Sequence, residues 1–290
     1  MKNPVKKVAA IHDLSGFGRA SLTVIIPILS TMGIQACPLP TSILSTHTGG
    51  FGNYKFVDFT DHMKDYINHW DELDLNFDSI YSGFLGSTKQ IDIVSDFINK
   101  FREDCEFVVV DPVMGDNGKK YETFDNEMVN RMKDLIKYAD IITPNMTEAA
   151  FLLEEEYPLE MEKTKIKSYL RRLSNMGPDI VIVTSMPYNQ ADEKTSVLAY
   201  NSYDQRFWQV DCDYVPTHFP GTGDIFASVI VGSMLQGDSL PLALDRAVQF
   251  TSTAIKTTYG YDYSNREGVL LERVLDNLKA PVYNHSYKLF

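Results

Sequence analysis

The stretch His218-Phe219-Pro220-Gly221-Thr222-Gly223-Asp224-Ile225-Phe226-Ala227 reads as a loop feeding a helix. Its two glycines, one residue apart, open backbone conformations that other residues avoid, and an apolar helical period starts directly after Asp224. The first amides of a helix lack intrahelical partners and sit at the positive end of its dipole, so this loop can hold an anion. An acid stands in the same place. Asp224 repels a phosphate unless it has another task, such as taking a proton from a nucleophile attacking that phosphate. The competing reading is a helix cap, because Gly and Asp are favoured at helix starts. On these residues both readings stand.

Outward from this loop, short β-branched runs alternate with amphipathic segments. Residues 7–11 read as a buried strand, 13–18 as a turn-rich loop and 21–31 as a helix containing Pro27. Residues 34–37 form a second strand, followed by a proline-punctuated segment through Pro40 and the glycine-rich residues 48–52. Helices are predicted at 58–70, 88–101, 126–138, 163–176, 241–259 and 267–278, and one opens near Pro144. Strands are predicted at 79–82, 107–110, 141–143 and 180–184, with a later pair, 195–200 and 207–210, joined by a turn. The run Phe107-Val108-Val109-Val110 is continuously apolar, as expected of a central parallel strand covered on both faces. The alternation predicts an α/β fold, with a mostly parallel sheet, right-handed crossovers and one domain over residues 1–290.

With 290 residues, 44% of them hydrophobic, one large core is attainable. The formal net charge of −12, from 39 acids against 27 Lys and Arg, argues against a nucleic-acid partner, which needs a basic footprint. An anionic small molecule remains open, provided backbone amides, a few cations or a bound metal offset the overall field. The apolar run Val8-Ala9-Ala10-Ile11 is too short for a signal-peptide core and no apolar run reaches membrane-spanning length, so a soluble, cytoplasmic protein without a membrane partner is expected. Cys37, Cys105 and Cys212 lie far apart with no metal-site spacing, and are expected to be reduced and buried.

Open α/β sheets bind ligands beyond the carboxyl ends of their strands. The residues that follow the predicted strands are Asp13 with Gly16 and Gly18, His47-Thr48-Gly49-Gly50, Gly83-Phe84, Asp111 with Asp116, Thr143 with Asn145 and Glu148, Thr184-Ser185, and Gly221 to Asp224. Acids, amides, hydroxyls and glycines on one edge suit a metal-assisted phosphate site, since oxygen ligands suit Mg²⁺ and glycines let the backbone approach phosphate oxygens. Each has a plainer reading. Asp111 before Pro112 can simply end a strand, Asn145 and Glu148 can form a helix start, and His47 can be a hydrogen-bonded loop histidine. The joint occurrence at strand ends favours a site. The P-loop, the dinucleotide-binding G-x-G-x-x-G at the first strand-to-helix turn, the His-Arg-Asp catalytic loop and H-E-x-x-H are all missing from the sequence.

These blocks resemble the ribokinase-like superfamily and, within it, the pyridoxal (vitamin B6) kinases and their hydroxymethylpyrimidine kinase cousins. Gly221-Thr222-Gly223-Asp224 looks like the superfamily's anion hole and base, and Val110 to Asp116 is similar to the D-P-V-x-G-D segment of B6 kinases. Thr143-Pro144-Asn145-Met146-Thr147-Glu148-Ala149 resembles their T-P-N-x-x-E-A, Thr184-Ser185 their nucleotide-contacting strand end, and His47-Thr48-Gly49 the H-T-G that contacts the B6 ring. The blocks keep the family's order from Ile11 to about Tyr259.

The resemblance implies a three-layer sandwich and ATP-dependent phosphorylation of the 5′-hydroxymethyl group of pyridoxal, pyridoxine or pyridoxamine. It implies Asp224 as base with Gly221, Thr222 and Gly223 as anion hole, and Asp13, His47, Thr48 and Phe84 on the substrate side. Asp111, Asp116, Tyr121, Thr143, Asn145, Glu148, Thr184, Ser185 and Thr222 serve the nucleotide, Asp111 and Glu148 the Mg²⁺, and Tyr121 rides on a mobile loop. A monovalent cation such as K⁺ and a homodimer also belong to this picture. Two departures fall on the substrate side: Asp13 stands where many B6 kinases have a serine, and Phe84 where a tyrosine is common. An acid at 13 would favour a cationic amine such as pyridoxamine. The rival readings are a hydroxymethylpyrimidine kinase, which differs only in the ring, and a catalytically silent sensor on the same fold.

Overall fold

The computed structural model describes residues 4–121, 124–158, 160–186, 194–280 and 285–290. Because successive side chains of a strand point to opposite faces, each central strand feeds two cores. In β1 (Lys7–Ser15), Ala9 and Ile11 join one core while Val8 and Ala10 join the other. The strands that follow are β2 (Gln35–Leu44), β3 (Phe56–Asp58), β4 (Ser79–Ser82) and β5 (Phe107–Val110). After them come a small hairpin of β6 (Gly115–Asp116) and β7 (Lys119–Lys120), then β8 (Ile141–Ile142), β9 (Ile180–Met186), β10 (Lys194–Asn201), β11 (Arg206–Asp213) and β12 (Tyr287–Leu289).

Apart from the hairpin, all of these lie in one sheet of order β12-β11-β10-β9-β8-β5-β4-β1-β2-β3. Strands β9, β8, β5, β4, β1 and β2 run parallel, and the strands outside them pair antiparallel. Helices cover both faces, so the three-layer α/β sandwich expected from the sequence is the fold observed. On one face lie α2 (Thr60–Glu72), α3 (Thr88–Phe101), α4 (Asn126–Leu135), α5 (Met146–Leu153) and α6 (Lys163–Ser174). On the other lie α1 (Leu22–Thr31), α7 (Thr222–Leu235) and α8 (Leu240–Tyr259). Helix α7 is buried nearly all round, which matches its uniformly apolar sequence. No helix among the described residues is long and apolar enough to cross a membrane.

Several local expectations need correction. Strand β1 continues through Asp13 to Ser15, so that acid stands on a strand end and not in a turn. Strand β2 runs through Pro38 and Pro40 to Leu44. The two prolines fall where β2 is the open edge of the sheet: β3 pairs only with Ser42 to Leu44, and residues two apart direct their missing N–H to the same side. The predicted helix at 267–278 is a series of 3₁₀ turns at Asn265–Glu267, Leu271–Arg273 and Leu275–Lys279. There Gly268 adopts φ 79°, ψ −177°, and the Leu270 amide donates to the Thr258 hydroxyl instead of to its own turn, so no α-helix can propagate. The apolar residues of that stretch, Val269, Leu271, Val274 and Leu278, are buried all the same. Pro144 precedes α5, whose N-cap is Asn145. The three cysteines are free, and half-buried rather than buried.

Candidate active site

The carboxyl ends of the parallel strands meet the N-terminus of α7. Gly221 is the N-cap of that helix at φ 80°, ψ 0°, and a Cβ there would stand 2.2 Å from the Arg19 carbonyl oxygen. Only glycine fits so close an approach with positive φ. No side chain caps the helix. The amides that follow Gly221 therefore keep their capacity for an anion.

Asp224 is not the cap. Its Oδ2 accepts the N–H of Ser21 at 2.8 Å, and its Oδ1 lies 3.9 Å from Nδ1 of His12. His12 is fully buried, and desolvation pulls its imidazole down to about 3, so the ring is neutral. Desolvation lifts the Asp224 carboxyl from 3.8 to about 7, with the Asp13 charge adding to the rise and the Ser21 N–H opposing it. A half-buried carboxyl poised near neutrality, beside uncapped helix amides, is suited to proton transfer.

Two further acids stand behind it. Asp111 directly follows β5, with its amide donating to Ser82 O at 2.8 Å, and burial followed by the Asp224 charge pushes its carboxyl up to about 8. The Thr143 hydroxyl lies near enough to oppose that rise without making a hydrogen bond of ordinary geometry. Glu148 sits in the first turn of α5 in a full capping box: its Oε2 accepts the Asn145 N–H at 2.8 Å, and Asn145 Oδ1 accepts the Glu148 N–H at 3.0 Å. Its Oε1 accepts the Met114 N–H at 3.0 Å, and Asn145 Nδ2 donates to Gly115 O at 2.9 Å. Thus the plain reading of Asn145 and Glu148 as a helix start is observed, and the same bonds tie the β6–β7 hairpin to α5. Burial and then the Asp111 charge drive the Glu148 carboxyl well above its usual range.

Like charges crowded together with an unpartnered hydroxyl fit a hard divalent cation. The described residues contain no group of three His, Cys, Asp or Glu able to hold a metal by themselves.

A cleft of about 950 Å³ runs away from this corner. It is lined by Asp116, Asn145, Thr184, Ser185, Thr222 and Gly223, all singled out from the sequence. Apolar residues Val197, Cys212, Val215, Phe226, Val248 and Ile255 also line it, none of them proposed for the site from the sequence. These come from β10, β11, the loop before α7, α7 and α8, and read in sequence as ordinary core positions. A cleft lined by both polar and apolar side chains suits a nucleotide, which carries charged phosphates and a largely apolar base. Asp116 and His218 face each other in the cleft, Oδ2 to Nδ1 at 3.6 Å. Tyr121 follows the hairpin, its amide bonded to Met114 O at 3.0 Å and its side chain exposed.

On the opposite side of Asp224 lie the residues predicted for the acceptor. Asp13 is buried at 6% exposure, accepting Ser21 Oγ–H at 2.6 Å and Ser15 Oγ–H at 3.3 Å. His47 accepts the Gly49 N–H on Nδ1 at 3.1 Å, which places its proton on Nε2, facing Arg266 O at 2.6 Å. With both nitrogens engaged, His47 shapes the loop that presents the exposed Thr48. A Cβ on Gly49 would lie 3.7 Å from Pro220, so this loop abuts the one at Gly221. Phe84 is half-buried, edge-on to Phe124 at 5.9 Å. Its neighbour Gly83 has no room for a Cβ because the His12 ring fills the space. Sequence reasoning missed His12 and Ser21, which carry no motif and reveal themselves only by what they face.

Comparison with known proteins agrees with this geometry. The phosphomethylpyrimidine kinase family model matches residues 26–268. A Bacteroides thetaiotaomicron protein provisionally described as a phosphomethylpyrimidine kinase, crystallised with pyridoxal, is 56% identical and superposes with a TM-score of 0.95 over 99% of this chain and 100% of its own. The pyridoxal kinase of Lactobacillus plantarum is 30% identical, with a TM-score of 0.87 over 95% of this chain and 97% of its own. A pyridoxal kinase of Corynebacterium diphtheriae is 26% identical over 91% of this chain and 93% of its own. The chain belongs to the phosphomethylpyrimidine kinase family, within the pyridoxal kinase branch of the ribokinase-like superfamily.

Proposed function

We propose that this kinase transfers the γ-phosphoryl group of ATP to the 5′-hydroxymethyl group of a vitamin B6 vitamer. The observation that carries the reading is Asp224: a half-buried carboxyl brought to about 7, engaged on Oδ2 by the Ser21 amide and standing at an uncapped helix start. Asp224 accepts the proton of the attacking hydroxyl, while the amides after Gly221 and the Thr222 hydroxyl hold the charge that develops on the phosphoryl oxygens. Asn145, Thr184, Ser185 and Asp116 line the path of the phosphates, and the apolar residues of the cleft take the base. Asp111 and Glu148 would hold Mg²⁺, whose charge neutralises the phosphates and offsets the mutual repulsion of the acids. Thr48 and Phe84 border the ring, and His47 holds the Thr48 loop.

One domain over the whole chain, a homodimeric assembly, a cytoplasmic location and a K⁺ requirement complete the proposal on the strength of the family resemblance. The bound pyridoxal in the Bacteroides thetaiotaomicron relative supports the B6 ring. A coupled ADP-release assay with pyridoxal, pyridoxine, pyridoxamine and hydroxymethylpyrimidine tests the assignment. Turnover of a B6 vitamer is the expected result; turnover of the pyrimidine alone assigns the ring to the rival kinase, and no turnover of any leaves a binding protein.

A further inference from the structure

Ser21 departs from two local rules. It is the N-cap of α1, where a serine side chain ordinarily accepts an amide of the first turn, yet it makes no such bond. Its backbone sits at φ 52°, ψ −133°. That conformation is the mirror image of extended backbone, open to glycine and costly to any residue with a Cβ. What it achieves is a bridge between two acids: the Ser21 N–H donates to Asp224 Oδ2 at 2.8 Å and the Oγ–H donates to Asp13 Oδ1 at 2.6 Å. Asp13 and Ser21 are 6% and 7% exposed, and Ser15 holds the second Asp13 oxygen at 3.3 Å. The preceding residue pair, Arg19 and Ala20, is the surface on which Gly221 packs.

We infer that Ser21 is a positioning residue for Asp224 and that Asp13 is its latch. The Asp13–Ser21 bond keeps the Ser21 amide, against the preference of its own backbone, on Asp224 Oδ2, and so leaves Oδ1 as the oxygen for a substrate hydroxyl. Asp13 then acts through Ser21 and not by touching the acceptor ring. This inference rests on Asp224 being the proton acceptor, and its test has one arm that needs no substrate.

The test compares Ser21→Ala, Ser21→Gly, Asp13→Asn and Asp13→Ala in the full chain, each checked by circular dichroism. Ser21→Ala loses the latch but keeps the strained backbone, and its kcat falls about tenfold or more with KM for vitamer and ATP within about threefold. Ser21→Gly takes the same φ and ψ without strain, keeps its N–H on Asp224 and recovers to within about threefold of the parent kcat. Asp13→Asn retains an acceptor for Ser21 and stays near the parent, whereas Asp13→Ala matches Ser21→Ala. In an Asp224→Asn background, Ser21→Ala has no further effect on residual turnover. Without substrate, hydrogen–deuterium exchange at the Ser21 amide speeds up about tenfold in Asp13→Ala while the middle of α1 is unchanged.

Unchanged exchange at Ser21, or Ser21→Gly as slow as Ser21→Ala, overturns the latch. A changed ratio of pyridoxamine to pyridoxal KM in Asp13→Asn at constant kcat overturns it too, by making Asp13 a contact to the ring. Inactivity of the parent protein on every vitamer and on the pyrimidine defeats the kinase assignment instead, and the exchange measurement still decides whether Asp13 holds Ser21.

Discussion

Replacing Asp224 by Asn separates what this carboxylate does for chemistry from what it costs the fold. Asparagine keeps the shape and an oxygen for the Ser21 N–H, but cannot take a proton. Positioned base catalysis is worth roughly 10²–10⁴-fold, so kcat should fall by at least ~10²-fold, with KM for ATP within about threefold. The stability effect has the opposite sign. In the unfolded chain this group titrates near 3.8, and in the folded protein near 7. The native state therefore holds its proton between those values, and above about 7 it carries a partly desolvated charge that the unfolded chain ionises freely. Native stability is lost as pH rises through that window.

At roughly 1.4 kcal/mol per pKa unit the full shift is an upper bound of about 4 kcal/mol, and relaxation and water entry reduce this to about 2. Removing the charge also relieves Asp111, whose carboxyl Asp224 pushes upward. Asp224→Asn should thus melt about 4 °C above the parent at pH 8, without Mg²⁺ or nucleotide, with the difference shrinking as pH falls toward 4 and vanishing only well below 3.8, where both states are protonated. Differential scanning fluorimetry across pH, paired with a coupled kinetic assay, reads both effects. A variant that retains kcat within tenfold removes Asp224 as the base; one that gains nothing at pH 8 refutes the electrostatic account of the acid cluster.

Gly221→Ala places a Cβ 2.2 Å from the Arg19 carbonyl at φ 80°, so it should cost at least ~2 kcal/mol and most of the activity; a thermal melt within 1 °C of the parent would contradict the close packing. Glu148→Gln keeps one oxygen for the Asn145 N–H but turns a donor NH₂ on the Met114 N–H, so it should cost about 1 kcal/mol and raise the Mg²⁺ concentration for half-maximal rate about tenfold, whereas Glu148→Ala loses both bonds and melts lower still; an unshifted Mg²⁺ titration for Glu148→Gln argues against a role at the metal. Thr48→Ala should raise KM for the vitamer about tenfold, the worth of one hydrogen bond, and leave KM for ATP alone; equal effects on both would point to a displaced loop instead.

Much of the fold was legible because it is local. Thr88–Phe101 and Phe107–Val110 lie where apolar period and β-branching place them. What misled was chemistry that local rules treat as forbidding: Pro38 and Pro40 stand inside a strand because that edge has no partner to miss their amides, and 267–278 has helical spacing yet is tied into 3₁₀ turns by Thr258 and Gly268. At the site, Asp111, Glu148, Thr184 and Asp224 announced themselves as polar residues at strand ends. Val248 and Ile255 did not, because an apolar residue facing a cleft and one facing a core are written alike.

By itself the sequence determines an α/β fold with a glycine loop feeding a helix at Gly221 to Asp224, since periodicity, glycines and acids at strand ends are properties of neighbouring residues; the kinase activity enters only through the resemblance of its motifs to the B6 kinases. It leaves open whether Asp224 caps a helix or meets a substrate. Only the tertiary structure removes the cap reading, by bringing Ser21, 203 residues away in the chain, onto its carboxylate and leaving the helix uncapped. The reason is physical: a raised carboxyl pKa and a serine held at positive φ arise from burial and from distant partners, and neither leaves a trace in the residues on either side.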